Sequence, residues 1–345
     1  MTPLRWLLTI LSFATSFGAS IYVVVSGWPE DGAPLGLPFW AHLGALAIVA
    51  ADLTLRTFKV QLSGRAVGAI VEFGTALRMG LGGDFAAAIT PSKTGAEPAR
   101  FLVLKEAGYP AAQILAVLFL ELALELMSLL TIAVVFYLTL ERSGSLMTAL
   151  LSIVGAYATT MLAITAVLFI LSRRNTSGPA PAWATRLRLS ATMWHRVQTT
   201  LRHVKVSVEG LVRARPAFIL AAYFVSVTHV FARLLVLPIL VFAYGDRPPV
   251  APLLVWPMVL LYGSSAAPAP AGGGVVEMSF QAALAGHIPV QLIASSLIWW
   301  RVYTFYAYVA FGAMSAGRTV MRALRPGAVT MEPDANEFDD PAGTP

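Results

Sequence analysis

Apolar residues in this chain fall in blocks longer than the ~20 residues that cross a bilayer as a helix. Six blocks predict spans at 4–26, 37–56, 111–140, 146–171, 217–243 and 289–317. The first has Arg5 near its start, but it is too long for the apolar core of a signal peptide and no clear small-x-small cleavage site follows, so it reads as a span. Between the fourth and fifth blocks, Leu187, Trp194, Val197, Leu201, Val204, Val208 and Leu211 recur mostly in steps of three and four. That pattern predicts an amphipathic helix lying on a membrane surface.

Two stretches, about 66–108 and 252–288, interrupt the pattern. Each reads as an apolar half-length helix, a Pro/Gly loop and a second short helix opening on a Glu. The first loop centres on Pro91-Ser92-Lys93-Thr94-Gly95-Ala96-Glu97, and the second on Pro270-Ala271-Gly272-Gly273-Gly274-Val275-Val276-Glu277. Irregular backbone at membrane depth is tolerated only where protein buries it or it lines a wet cavity. Paired interruptions in two halves of a chain point to a binding site. By parity the two enter from opposite sides. The expected fold is therefore an all-α polytopic membrane protein with about six transmembrane helices and two oppositely oriented re-entrant helical hairpins.

The halves also match in detail. Glu97 precedes Glu121 by 24 residues, and Glu277 precedes Arg301 by 24. Both hairpins end in similar turns, Ala107-Gly108-Tyr109-Pro110 and Ala285-Gly286-His287-Ile288-Pro289. These matches predict an inverted repeat within a single membrane domain over residues 1–318.

Composition agrees. Only 12% of the 345 residues are charged, against roughly 25% in soluble domains. There is no cysteine, which excludes disulfides and thiolate chemistry. The net charge of +6 sits mostly in short loops, where it sets topology rather than binding nucleic acid. Segment 173–215 holds nine Arg and Lys residues with Glu209 as its one acid, so it is expected in the cytoplasm. Arg56, Lys59 and Arg65 fall on that side, as do Arg5 and the trio Arg318, Arg322 and Arg325. The loops with Glu30, Asp31 and Asp246 then face outside, both termini are cytoplasmic, and the location is a bacterial inner membrane. The acidic tail 319–345 reads as disordered, and no soluble catalytic domain is expected with it.

Charged residues within spans are the candidate chemistry. Glu121 and Glu125 share one helix face, as do His229 and Arg233, and Arg301 lies in the last span. An ionised group at mid-span costs at least ~2.5–3.5 kcal/mol on insertion scales, so it faces a partner or water. Glu121, Glu125, Arg233 and Arg301 either pair inside the bundle or line a polar cavity. Helix starts near Gly95 and Val275 present free N–H groups that suit an anion, beside Gly272, Gly273 and Gly274. Lys93, Arg100 and Arg301 can add charge-assisted bonds to a phosphate. Glu97 and Glu277 suit a cationic headgroup or a proton, or else stabilise their own helix dipoles. Asp52 and Arg56, four apart, are expected to form a local ion pair. The five His are scattered, with no His-x-x-x-His or Asp-x-Asp, and no Gly-x4-Gly-Lys-[Ser/Thr] is present, so neither metal, cofactor nor ATP hydrolysis is expected.

The segment Pro91 to Arg100 resembles a Pro-x-x-x-Gly-Glu-x-x-Arg region, with one extra residue between Gly95 and Glu97. Pro270 to Glu277 resembles a Pro-Gly-Gly-x-Gly-x-x-Glu region. Arg301 matches a Tyr-Arg position with Trp300 replacing the Tyr, and Glu121 matches a Glu-Arg pair with Leu122 in place of the Arg. These features resemble the transmembrane region of lysylphosphatidylglycerol synthases and its stand-alone flippase-like relatives, some linked to hopanoid or polyprenyl-glycan pathways. The resemblance spans nearly the whole chain and implies lipid translocation between leaflets through a two-hairpin cavity.

The function expected is therefore transfer of an amphipathic, phosphate-bearing lipid, with no enzymatic activity. Energy would come from an ion gradient, with Glu121, Glu125 or Glu277 as proton carriers, or from none. The alternatives are a membrane transferase acting on a polyprenyl or phospholipid substrate, and a non-transporting scaffold of a lipid-modifying complex. The partners expected are membrane lipids, with a second copy of the chain or lipid-biosynthesis enzymes as further candidates.

Overall fold

The computed structural model describes residues 17–28, 35–140, 213–264 and 269–324, with scattered positions within 14–32, within 144–211 and at 267. The start of the first expected span, most of the span 146–171, most of the basic segment 173–215 and the tail from 325 lie outside the described residues. The described residues are helical throughout, without a named strand. In chain order the helices are α1 (Phe17–Ser26), α2 (Phe39–Ala66), α3 (Phe73–Ile89), α4 (Ala96–Glu106), α5 (Ala111–Thr139) and α6 (Pro216–Leu234). They continue with α7 (Val236–Ala243), α8 (Val250–Gly263), α9 (Val275–Leu284), α10 (Val290–Arg301) and α11 (Ala307–Ala323).

Prolines set many of these boundaries. Pro38, Pro110, Pro249 and Pro289 stand immediately before α2, α5, α8 and α10. A proline offers no N–H, and its fixed φ suits the start of a helix while disfavouring α conformation in the residue before it. Pro238 acts differently. Its ring clashes with the carbonyl four residues earlier, at Leu234, which is where α6 ends and α7 begins. The two similar turns at the hairpin ends share their geometry, since Gly108 and Gly286 are both left-handed, at φ 88° and 76°.

Two boundaries differ from expectation. α2 continues ten residues beyond 56, to Ala66, so Arg56 and Lys59 are interior helical residues and not loop charges. Lys59 is only 2% exposed. The last span runs on to Ala323 through a π-helical segment, Val302–Tyr306, between α10 and α11. The first residues expected in the tail are therefore helical.

α2 packs along α6, and α3 packs along α11. α3 with α4, and α8 with α9, form two helical hairpins whose tips, Pro91–Lys93 and Pro270–Gly272, meet each other. Large apolar side chains, among them Phe39, Leu138, Phe224 and Met314, stand more than half exposed on the outside. α5 and the continuous pair α6–α7 are 29 and 28 residues long, with mean hydropathy 2.2 and 2.1, and are long and apolar enough to cross a bilayer. Apolar side chains outside and ion pairs inside are what a bilayer selects.

Without a hydrophobic drive between helices in lipid, close contact depends on small residues. Gly312 supplies it between α11 and α3, where a Cβ would overlap the carbonyl oxygen of Leu81 and lie 2.8 Å from the Cβ of Phe85. Gly312→Ala is expected to lower stability by about 1–3 kcal/mol through overpacking. Gly317→Ala, whose nearest neighbour would be 4.0 Å away, should be close to neutral. Thermal unfolding in detergent checks the pair, and equal effects would contradict the packing described.

Candidate functional site

The site is built on α2. Asp52, Arg56, Lys59 and Ser63 follow one another at intervals of four, three and four residues, which puts them on one stripe of the helix. Each reaches a different neighbour. Asp52 is fully buried and accepts hydrogen bonds from His229 Nδ1 on α6, at 3.1 Å, and from the Tyr308 hydroxyl on α11, at 2.7 Å. Arg56 forms a two-pronged pair with Asp84 on α3, at 2.5 and 3.2 Å. Lys59 stands 3.1 Å from Glu121 and 3.9 Å from Glu125, both on α5. Ser63 donates to the other Glu121 oxygen at 2.6 Å. The expected Asp52–Arg56 ion pair does not form, because both Asp52 oxygens are taken by donors from other helices and Arg56 has a bidentate partner. Bidentate pairing fixes orientation as well as charge.

The hairpins add the remaining charges. Gly95 opens α4, and Arg100 donates to Glu97 across one turn at 2.8 Å. The Arg100 guanidinium lies against Gly83 of α3, where a Cβ would come within 2.5 Å of its Nε. In the second hairpin Glu277 pairs with Arg301 at 2.9 Å, with both side chains buried. The Arg301 guanidinium also covers the Phe305 ring, 4.4 Å from its centroid. Arg301 is the last residue before the π-helical segment, and such single-turn irregularities occur often at functional sites.

The two tips join the halves. Ser92 and Lys93 are left-handed, at φ 49° and 57°, a conformation that costs a non-glycine residue of order 1–3 kcal/mol. It directs Ser92 Oγ to the Ala267 carbonyl at 3.2 Å and Lys93 Nζ to the Leu261 carbonyl at 3.0 Å, both in the other hairpin. Gly272 and Gly274 have matching positive φ values, 68° and 77°, in the second tip. There the Gly274 N–H donates to Ser20 Oγ of α1 at 3.2 Å.

Between the hairpins and helices α2, α5, α6 and α11 lies a cavity of about 360 Å³. Its wall includes six of the cations named above (Arg56, Lys59, Lys93, Arg100, Arg233 and Arg301) and four carboxylates (Asp84, Glu97, Glu121 and Glu125). His229 and Tyr308 line it too. The wall thus carries a surplus of two positive charges. Among the described residues Lys93 and Arg233 face only neutral bonding partners, the Leu261 carbonyl for Lys93 and the Thr304 carbonyl, at 2.7 Å, for Arg233. The Arg233 guanidinium also lies 4.8 Å from the centroid of the Tyr308 ring. Arg301 lines a second, largely apolar cavity of about 370 Å³ as well, between α1, α9 and α10.

Of the residues singled out from sequence, Lys93, Glu97, Arg100, Glu121, Glu125, Arg233 and Arg301 come together in the charged cavity. Glu277 stands behind it on Arg301, and Gly272, Gly273 and Gly274 shape the tip. Sequence reasoning missed Arg56, Lys59, Asp84, His229 and Tyr308 as wall residues. The signal for the first two was the three-and-four spacing of polar residues continuing past position 56.

Residues 7–312 match the family described as the lysylphosphatidylglycerol synthase TM region, and the chain belongs to that family. No curated protein matches the sequence significantly. The chain is accordingly a helical membrane protein involved in lipid handling.

Removing one partner of a buried ion pair strands the other, at a cost of about 3–5 kcal/mol. Lys59→Met is expected to destabilise the chain by that amount, because Glu121 is 5% exposed. The double variant K59M/E121Q should recover a substantial part, since a Gln can keep the Ser63 bond without a charge. Unfolding temperatures of the wild type, K59M, E121Q and the double variant in detergent test this. A double variant as unstable as the sum of its two single changes would contradict the pairing.

Proposed function

We propose that this member of the family moves an amphipathic, phosphate-bearing lipid between bilayer leaflets and does not chemically transform it. The observation that carries the reading is the pair of wall cations, Lys93 and Arg233, that have neutral bonding partners within the protein. Lys93, Arg233 and Arg301 around a cavity of about 360 Å³ favour an anion of headgroup size, and a phosphate accepts charge-assisted bonds from such cations.

The two helical hairpins are re-entrant in this reading, entering the bilayer from opposite faces and meeting at their tips near its middle. The full-length helices then form the surrounding spans of a bacterial inner-membrane protein with cytoplasmic termini. The headgroup crosses within the charged cavity while the acyl or prenyl chains stay in the hydrocarbon. The carboxylates Glu97, Glu121 and Glu125 serve two purposes. They hold the cations in place, and they keep the wall from binding the headgroup too tightly to release it. The Arg301–Glu277 pair, with Arg301 shared between the charged and apolar cavities, is the boundary that separates headgroup from chains.

Reconstitution into liposomes with labelled phospholipids tests the reading by the rate at which label moves between leaflets. The intact chain should accelerate exchange of an anionic phospholipid. Arg233→Ala and Lys93→Ala should each lower the rate about 10- to 100-fold, as expected for loss of a charged hydrogen bond of ~1.5–3 kcal/mol. No acceleration across a panel of anionic and zwitterionic lipids would sink the proposal.

A further inference from the structure

Among the described residues of the cavity wall, His229 is the one histidine. Its side chain is 2% exposed, and its Nδ1 is held 3.1 Å from Asp52. Its Nε2 has no hydrogen-bond partner among the described residues. Asp52 is held in turn by the Tyr308 hydroxyl, so the carboxylate is fixed by two donors. A carboxylate on Nδ1 sets that nitrogen as the N–H donor and leaves Nε2 with its lone pair free. A buried polar atom without a partner costs ~1–3 kcal/mol. The geometry therefore maintains an oriented, basic nitrogen at the edge of the site.

We propose that His229 is the proton site of the transporter, and that the cavity takes up one proton on Nε2 together with its anionic headgroup. This rests on the transport reading above. The charges around the imidazole supply the coupling. Arg56 and Lys59 from α2 and Arg233 from its own helix oppose a further positive charge. Asp52, Asp84, Glu121 and Glu125 favour one, and Tyr262 and Tyr308 are neutral neighbours. The wall as a whole carries a surplus of two positive charges, which opposes a further charge on the imidazole in the empty cavity. A phosphate between Lys93 and Arg233 offsets part of that surplus and favours the imidazolium. Binding energies are reciprocal, so the proton strengthens headgroup binding by the same factor. The atoms balance simply. Nε2 accepts a proton from water on the loading side and returns it to water on the release side, and Nδ1–H stays on Asp52 throughout.

Calorimetric titration of the purified full chain with dihexanoyl phosphatidylglycerol tests this. Two buffers of different ionisation enthalpy at one pH near neutrality give the protons taken up per lipid bound. The wild type should take up a substantial fraction of one proton. His229→Gln should bind lipid within about tenfold of the wild type, ~1.4 kcal/mol, with proton uptake close to zero. Lipid binding without proton uptake by the wild type, or undiminished uptake by H229Q, overturns the proton site and leaves the transport reading standing. Absence of lipid binding overturns both. Should H229Q not fold, the wild type labelled with ¹⁵N-histidine gives a second reading. Lipid addition should move the ring nitrogens of one histidine to imidazolium positions, and five histidines that stay unchanged would overturn the proposal.

Discussion

The structure depends on a constraint imposed by α2: a helix with Asp52, Arg56, Lys59 and Ser63 on one stripe cannot leave that stripe in hydrocarbon. An unpaired ion in an apolar interior costs several kcal/mol, so each group needs a partner from a different element. The partners come from α6 and α11 for Asp52, from α3 for Arg56, and from α5 for Lys59 and Ser63. Four helices are thereby positioned around one spine by polar contacts. Small residues such as Gly312 close the remaining gaps. Lys93 of the first hairpin tip and Arg233 of α6 add charges that the spine does not neutralise, and both line the cavity.

The same constraint explains which parts of the site can respond to a ligand. The Arg56–Asp84 and Lys59–Glu121 pairs are saturated, each with its partner at bonding distance. Lys93 and Arg233 instead rest on backbone carbonyls, which are weaker partners than a phosphate. Arg301 lies at a junction between an α-helix and a π-helical segment, over an aromatic ring, with Glu277 behind it. A headgroup that competes for these three cations acts on the hairpin tips and on the last helix, the elements that join the two halves.

Much of this was legible in the sequence, and the reason is the strength of particular signals. Pro91 in one break, and Pro270 with the left-handed Gly272 and Gly274 in the other, mark where helices stop, because proline and left-handed glycine leave little choice. The turn glycines Gly108 and Gly286 match in φ as the paired turns suggested. Glu121, Glu125, Arg233 and Arg301 stood out because each interrupts an apolar run. Of those four, Glu121 and Arg301 are paired, and all four line the cavity. Arg56 and Lys59 were misread because a basic residue at the end of an apolar run has the appearance of a topology signal. Nothing local distinguishes a lysine at a membrane surface from one that meets a glutamate on another helix. The Asp52–His229–Tyr308 cluster was hidden for the same reason, since its members lie 177 and 256 residues apart.

The proposed function places an anionic headgroup among Lys93, Arg233 and Arg301. An experimental structure in nanodiscs of anionic phospholipid tests it most directly. The account predicts phosphate density within hydrogen-bond distance of at least two of these three side chains, with the attached chains leading out toward hydrocarbon. A cavity that holds only water while ordered lipid binds elsewhere on the surface would contradict it.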